Sequence, residues 1–299
     1  MLQKFDERNR DLIVSVNGRL VHRDRAAISP FDSAVQGGDA VWEGLRLYQG
    51  KIFRLEGHLA RLRRSAAALA FASVPSDEEI TGQIRAVLLA NEMTGNVHIR
   101  LTLTRGVKIT SGMDPRLNQS GPTLIVLAEH KPPVYDQSGI TLVTASVRRS
   151  PPDCLDPKIH HNNLLSSILA KIEANVAGAD DAVMLDQRGF VAETNATHLF
   201  LVTGGRLATP ATVACPEGIT RAAVLELAEG AGTGCHVGDL SLTQFYSADE
   251  VFVTGTMGGL TPVTAIDGRI VGDGAPGPVT LRLTALFADL TARSGTPVV

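Results

Sequence analysis

Lys158 stands in Asp156-Pro157-Lys158-Ile159-His160-His161-Asn162-Asn163-Leu164-Leu165, just ahead of an apolar run with helical spacing. Six of the 28 basic residues are lysines. A lysine kept where arginine is the habit invites a chemical reading, because an ammonium can lose its proton and attack a carbonyl and a guanidinium cannot. Lys4, Lys51, Lys108, Lys131 and Lys171 lie in a polar tail, after a turn, in a polar loop, at the head of a proline-rich linker and on a helix among polar neighbours. Each of these reads as a solvated charge. Glu193, in Val191-Ala192-Glu193-Thr194-Asn195, is a lone carboxylate at a strand end before small polar residues. Pro216-Glu217-Gly218-Ile219-Thr220-Arg221 leads into a helix, whose first amides can bind a phosphate without a charged side chain. Gly255-Thr256-Met257-Gly258-Gly259 follows a strand, and its missing side chains let backbone amides approach an anion while Thr256 adds a hydroxyl.

Positioning these groups requires a sheet with helices attached. Leu12 to Val16, Asn17-Gly18 and Leu20-Val21 predict a strand, a hairpin turn and a strand, and Val41 to Tyr48, Gln49-Gly50 and Ile52-Phe53 repeat the pattern. A helix is expected over 55–69, and another from Ser76, where Ser76-Asp77-Glu78-Glu79 has the form of a capping box. Strands are expected over 97–104 and 123–127. Lys131-Pro132-Pro133 then breaks the pattern. The predicted organisation is a small N-terminal domain over 1–130, a linker over 131–138 and a larger C-terminal domain over 139–299 that contains Lys158. In the larger domain the expected elements are strand 140–147, a helix from Asn162 or Leu164 to Ala177, strands 182–185 and 199–202, helix 220–228, strand 251–254 and helix 279–290. The fold class is α/β, of the α+β type.

The bulk properties narrow the partners. The chain has 299 residues and a formal net charge of −3. No basic run interleaves with aromatics, so nucleic acid is not an expected partner. No apolar stretch approaches the ~20 residues that span a bilayer, and residues 1–10 are polar, so a cytoplasmic location and no membrane partner are expected. Cys154, Cys215 and Cys235 are odd in number and lack metal-ligand spacing, so they read as reduced thiols and no metal is expected.

A lysine nucleophile, a carboxylate and two phosphate cradles describe a site for pyridoxal 5'-phosphate, the lysine forming the Schiff base and the carboxylate keeping the pyridine nitrogen protonated. From about Phe31 to Leu290 the chain resembles the class IV aminotransferases of fold type IV. This group includes branched-chain aminotransferases, D-amino acid aminotransferases and aminodeoxychorismate lyase. The resemblance rests on motifs in order: Gly38-Asp39-Ala40-Val41-Trp42-Glu43-Gly44-Leu45-Arg46, His58-Leu59-Ala60-Arg61-Leu62, Lys158, Glu193-Thr194-Asn195, Gly218-Ile219-Thr220-Arg221 and Thr254-Gly255-Thr256. It implies a two-domain, D-amino acid aminotransferase-like fold.

It also implies roles. Lys158 is then the Schiff-base lysine and the base at the substrate Cα, and Glu193 the partner of the pyridine nitrogen. Arg61 binds the cofactor phosphate with Gly218, Ile219, Thr220, Gly255 and Thr256. Arg100 matches an arginine that reads the distal carboxylate of glutamate or 2-oxoglutarate, although a strand-surface arginine is the plainer alternative. Gly37, Trp42, Asn163, Thr256 and Met257 complete the implied substrate pocket. Gly37 and Asn163 depart from the branched-chain pattern, which has aromatic residues at these two positions, and Trp42 fills an aromatic position instead. The expected activity is transamination between an amino acid and a 2-oxo acid, branched-chain-like, in a homodimer or higher homo-oligomer. D-amino acid or (R)-amine transamination, aminodeoxychorismate lysis and a catalytically dead binding protein are the alternatives.

Overall fold

The computed structural model describes residues 3–299. These divide into two compact units. One runs through Pro132 and takes back Ile159–Asn163 and Thr291–Val299; the other holds Pro133–Lys158 and Leu164–Leu290.

In the first unit, β1 (Ile13–Val16) and β2 (Arg19–His22) form a hairpin. Its two turn residues, Asn17 and Gly18, have φ of 50° and 77°, as a type I′ turn requires. A short helix α1 (Ser33–Gly37) leads to β3 (Ala40–Tyr48), which turns back through β4 (Lys51–Ile52). Helices α2 (Leu55–Ala68) and α3 (Asp77–Ala90) follow, then β5 (Val97–Thr104) and β6 (Thr123–His130). The sheet order is the C-terminal strand Thr296–Pro297, β4, β3, β5, β6, β1, β2. Strand alternation sorts the two faces of β3. Val41, Leu45 and Leu47 join Leu59 and Leu62 of α2 and Ile80, Ile84, Val87 and Leu88 of α3 in one core. Each such side chain contributes about 2 kcal/mol of burial. The capping box at α3 is complete: Glu79 N–H donates to Ser76 Oγ at 3.1 Å and Ser76 N–H to Glu79 Oε2 at 2.7 Å.

The second unit contains β7 (Ile140–Thr144), α4 (Leu165–Val176), β8 (Asp181–Leu185), β9 (Val191–Thr194), β10 (His198–Thr203) and β11 (Arg206–Pro210). It continues through α5 (Ile219–Gly230), β12 (Cys235–Gly238), α6 (Leu242–Tyr246), β13 (Glu250–Gly255), β14 (Gly259–Ile266), β15 (Arg269–Ile270) and α7 (Pro278–Arg293, whose last three residues fall in the first unit). The strands form one sheet in the order β12-β11-β10-β13-β14-β7-β8-β9, with β15 on β14. Strands β8 to β10 are buried almost throughout.

Two local expectations need correction. Strand β7 stops at Thr144. The helix after Lys158 begins at Leu165 rather than Asn162, because Ile159–Asn163 is an irregular segment bridged to the start of β3. Trp42 N–H donates to His160 O at 2.9 Å and Asn162 N–H to Ala40 O at 2.9 Å. Backbone donors and acceptors used in this strap are lost to a helix.

Candidate active site

Glu193 lies in the middle of β9, opposite Met184 of β8, and is 4% exposed. A carboxylate so placed needs a partner, and Arg149 supplies it, with Nη2 2.7 Å from Glu193 Oε1. Arg149 was not among the sequence candidates. Its only signal was its place in a polar stretch that follows a strand. His198 and Cys215 complete the surroundings: a carboxylate oxygen, a ring nitrogen and the thiol lie within 4.8 Å of one another, and Cys215 Sγ is 3.9 Å from His198 Nδ1. Three such groups make a minimal metal-ligand set, but the chemistry disfavours it. Burial, with Glu193 adding, pushes the Cys215 thiol well up, whereas a metal needs thiolate, and Arg149 already holds the carboxylate.

Lys158 is half-exposed in the same unit. Its backbone N–H donates to Asp156 Oδ1 at 2.9 Å, and its Nζ sits 3.4 Å from Glu217 Oε1. Its charge, with those of Arg149 and Arg221, acts on the Cys215 thiol against burial, which places the amine in the electrostatic neighbourhood of the Glu193 cluster. Glu217 immediately precedes Gly218, the N-cap of the twelve-residue helix α5, which has no side-chain cap. The amides of Ile219 and Thr220 are therefore available donors with the positive end of the helix behind them. Only glycine fits at 218: a Cβ there would stand 2.3 Å from the His198 ring. Arg221 turns away, donating to Pro210 O at 2.9 Å. Strands β13 and β14 form a hairpin whose last pair is Gly255–Gly259, with Thr256, Met257 and Gly258 at the turn. Thr254 Oγ1, just before it, is buried without a hydrogen-bond partner.

The first unit holds the remaining candidates. Arg61 is 7% exposed rather than a solvated helix arginine. It grips Glu43 in a bidentate pair, Nε to Oε1 at 2.8 Å and Nη2 to Oε2 at 2.7 Å. Glu43 was passed over in the sequence because it sits among apolar residues on the helix-facing side of β3. It also takes His58 Nδ1 at 2.7 Å and His160 Nδ1 at 3.3 Å. Burial works against its ionisation, but Arg61 and His160 outweigh burial and hold its carboxyl well below the usual range.

Trp42 and Arg100 come together. Trp42 Nε1–H donates to His161 O at 3.1 Å, its ring stacks on His160 with centroids 4.1 Å apart, and the Arg100 guanidinium lies 3.5 Å over it. Arg100 Nη2 donates to Asn162 Oδ1 at 3.0 Å, and burial lowers its pKa to about 10. It is no surface arginine. Asn163 instead donates to Gly38 O at 3.1 Å, and Gly37, at the exposed end of α1, has open space around its Cα. Lys108, expected in a solvated loop, is buried and donates from Nζ to Gly112 O at 2.5 Å.

The chain is similar to known proteins over most of its length. The sequence profile "Amino-transferase class IV" matches residues 40–266. "Branched-chain-amino-acid aminotransferase-like protein 2" of Arabidopsis thaliana is 56% identical over 97% of this chain, which spans 52% of that relative's length. The D-alanine aminotransferase of Bacillus licheniformis is 32% identical over 89% of the chain and 93% of its own. Among solved structures, a T.th. branched-chain amino acid aminotransferase with pyridoxamine 5'-phosphate has a TM-score of 0.88 at 34% identity, covering 95% of each chain. The architecture is that of fold type IV. A profile match from the start of β3 to the end of β14, and a relative followed over nearly its whole length, place the chain in the class IV aminotransferase family.

Proposed function

We propose that the chain is a pyridoxal 5'-phosphate-dependent aminotransferase that moves an amino group between an amino acid, of branched-chain type, and a 2-oxo acid. The observation that carries this reading is the buried Glu193–Arg149 pair in the unit that also presents the Lys158 amine and the uncapped α5 amides. The donor set fits the cofactor: an amine for its aldehyde, a carboxylate for its ring nitrogen, and amides with the hydroxyls of Thr220 and Thr256 for its phosphate. When bound, the cofactor supplies an electron sink for the carbanion formed at the substrate Cα.

The protein's own residues do the rest. Lys158 holds the cofactor through Nζ and, once its amine is free, moves the proton at Cα. Glu193, ion-paired with Arg149, holds the proton on the ring nitrogen. Arg61, fixed by Glu43, adds positive charge for the phosphate. The branched-chain assignment rests on the plant relative and the T.th. structure. We place the protein in the cytoplasm; none of its described helices is long and apolar enough to cross a membrane. A homodimer is supported by α4, where Leu165, Ile168, Leu169, Ile172 and Val176 form an exposed apolar stripe at helical spacing.

Borohydride reduction and peptide mapping test the reading, with cofactor expected on Lys158. A panel of L- and D-amino acids scored for conversion of the cofactor to pyridoxamine phosphate then fixes the donor. Label on another lysine, or full turnover in Lys158→Ala, overturns the assignment.

A further inference from the structure

Tyr135 lies in the proline-marked stretch 131–138 that the sequence reads as a linker, yet its ring packs against the core of the second unit. Its hydroxyl donates to Asp181 Oδ2 at 2.5 Å. Burial, with Asp181 adding, pushes the tyrosine well above its usual range, so the hydroxyl stays a donor. Asp181 opens β8 and is 1% exposed. The same Oδ2 accepts from the Thr194 hydroxyl at 3.4 Å, and Oδ1 lies 3.8 Å from Lys171 Nζ. Thr194 directly follows Glu193, and its Oγ1 holds the turn into β10: Thr197 N–H donates to it at 2.9 Å and Ala196 N–H at 3.2 Å, and Thr197 Oγ1 is 2.7 Å away.

Both arms of this network end against the turn between β13 and β14. A Cβ on Gly255 would stand 3.1 Å from the Thr197 methyl carbon, and one on Gly258 would stand 2.9 Å from Tyr135 Cδ2. Thr256 and Met257 are therefore seated on two side chains, Thr197 and Tyr135, and both lead back to Asp181. Gly258 does not have a positive φ, so the turn needs its missing side chain rather than a left-handed backbone. All of these residues belong to the second unit. A carboxylate buried this deeply is costly even when paired, and apolar residues would serve stability as well. What a fully bonded network adds is a fixed geometry.

We propose that Tyr135 is a positioning residue for the Thr256 turn: its ring, anchored by Asp181, sets the backbone at Gly258 so that the turn is oriented for the cofactor phosphate. This deepens the aminotransferase reading and rests on it. Tyr135 acts through Gly258, not on the cofactor, so its effect belongs to the phosphate and not to the aldehyde end held by Lys158.

The full chain, freed of cofactor, is titrated with pyridoxal 5'-phosphate and with pyridoxal, which lacks the phosphate, by visible absorbance. The ratio of the two affinities isolates the phosphate contribution, and general damage to the fold lowers both alike. Tyr135→Leu should reduce that ratio by at least about tenfold, the scale of one charge-assisted hydrogen bond, with pyridoxal itself little changed. Tyr135→Phe keeps the ring on Gly258 and should recover most of the ratio. Gly258→Ala sets a methyl against the ring and should reduce the ratio in the parent. In the Tyr135→Leu background the same alanine should add less than about twofold, because residues in contact depart from additivity. Equal losses for the two ligands in Tyr135→Leu, no loss for either, or independent effects of the two substitutions overturns the proposal. If Tyr135→Leu does not fold by circular dichroism, Gly258→Ala is read alone: a loss confined to the phosphate ester supports the proposal, and an unchanged ratio overturns it. Borohydride label on Lys158 with an unchanged ratio strikes the role of Tyr135 alone, whereas label on another lysine strikes the aminotransferase reading.

Discussion

Arg149 Nη2 stands 2.7 Å from Glu193 Oε1, with both side chains nearly buried. The guanidinium comes from the segment after β7 and the carboxylate from β9, 44 positions apart in sequence numbering, so the fold creates the pair. If Glu193 partners the cofactor's ring nitrogen, two substitutions should behave differently. Glu193→Gln removes the charge and keeps the shape; kcat should fall by about 10²-fold or more, the scale lost with an electrostatic catalytic partner, while cofactor absorbance persists. Arg149→Met leaves a buried carboxylate without its cation and should cost about 3–5 kcal/mol in stability. Denaturant titration and single-turnover kinetics on both variants check this. Unchanged kcat in Glu193→Gln would remove the carboxylate from the mechanism.

His98 makes stability fall in acid. Its folded pKa is depressed to about 3, chiefly by burial and then by nearby cations. Below about pH 6.5 the unfolded chain takes up a proton on this ring that the folded chain refuses, so stability declines as pH falls from about 6.5 towards 3. The slope approaches about 1.4 kcal/mol per pH unit, or about 2 kcal/mol between pH 6.5 and 5. His98→Gln should remove that share of the decline. Urea midpoints for parent and variant at pH 5 and pH 7 measure the difference; identical pH dependence would refute it.

The candidate site residues were more legible in the sequence than the groups that hold them. Lys158, Glu193 and the Gly218-Ile219-Thr220 turn could be singled out because type and local context mark them: a rare lysine, a lone acid, a glycine before a helix. Hairpin and cap signals likewise located β1 to β3 and α3, since turn geometry and capping are local. Glu43, Arg149, His198 and Cys215 had no such mark. Their importance comes from distant partners, up to 117 positions away for Glu43 and His160, brought together by sheet registers that one sequence does not encode locally. The strap Ile159–Asn163 misled for the same reason. Two asparagines before an apolar run look like a helix start, but backbone bonds to β3 won. Strand β12, Cys235-His236-Val237-Gly238, is too short to show alternation.

The apolar stripe of α4 should be an interface between two copies of the chain. Leu165 and Val176, at its ends, are 73% and 86% exposed, and such a stripe on a helix otherwise favours aggregation. Leu169→Glu with Ile172→Glu should weaken self-association by at least about 30-fold, the scale of a lost interface hot spot of about 2 kcal/mol, while leaving far-UV circular dichroism unchanged. Light scattering over a concentration series reads the result. A parent protein that is monomeric and fully active would refute the dimer, and a double variant that stays dimeric would move the interface elsewhere.

Arg100 should discriminate among acceptor oxo acids rather than drive the chemistry. It lies 3.5 Å over Trp42, and its one hydrogen bond of good length goes to the neutral amide of Asn162. Although burial lowers its pKa, a value of about 10 leaves it charged at neutral pH. A distal carboxylate would exchange that neutral partner for a charged one, and 2-oxoglutarate has such a group where a branched-chain oxo acid has none. Arg100→Ala should therefore raise KM for 2-oxoglutarate by about 10- to 150-fold, the equivalent of a charged hydrogen bond worth about 1.5–3 kcal/mol. The half-reaction with an apolar donor does not use this contact and should change by less than about threefold, allowing for the lost packing on Trp42. Single-turnover measurements with each substrate separate the cases. Equal losses for apolar and acidic substrates would mean that Arg100 holds the carboxylate common to both, and would favour a D-amino acid or lyase orientation of the substrate.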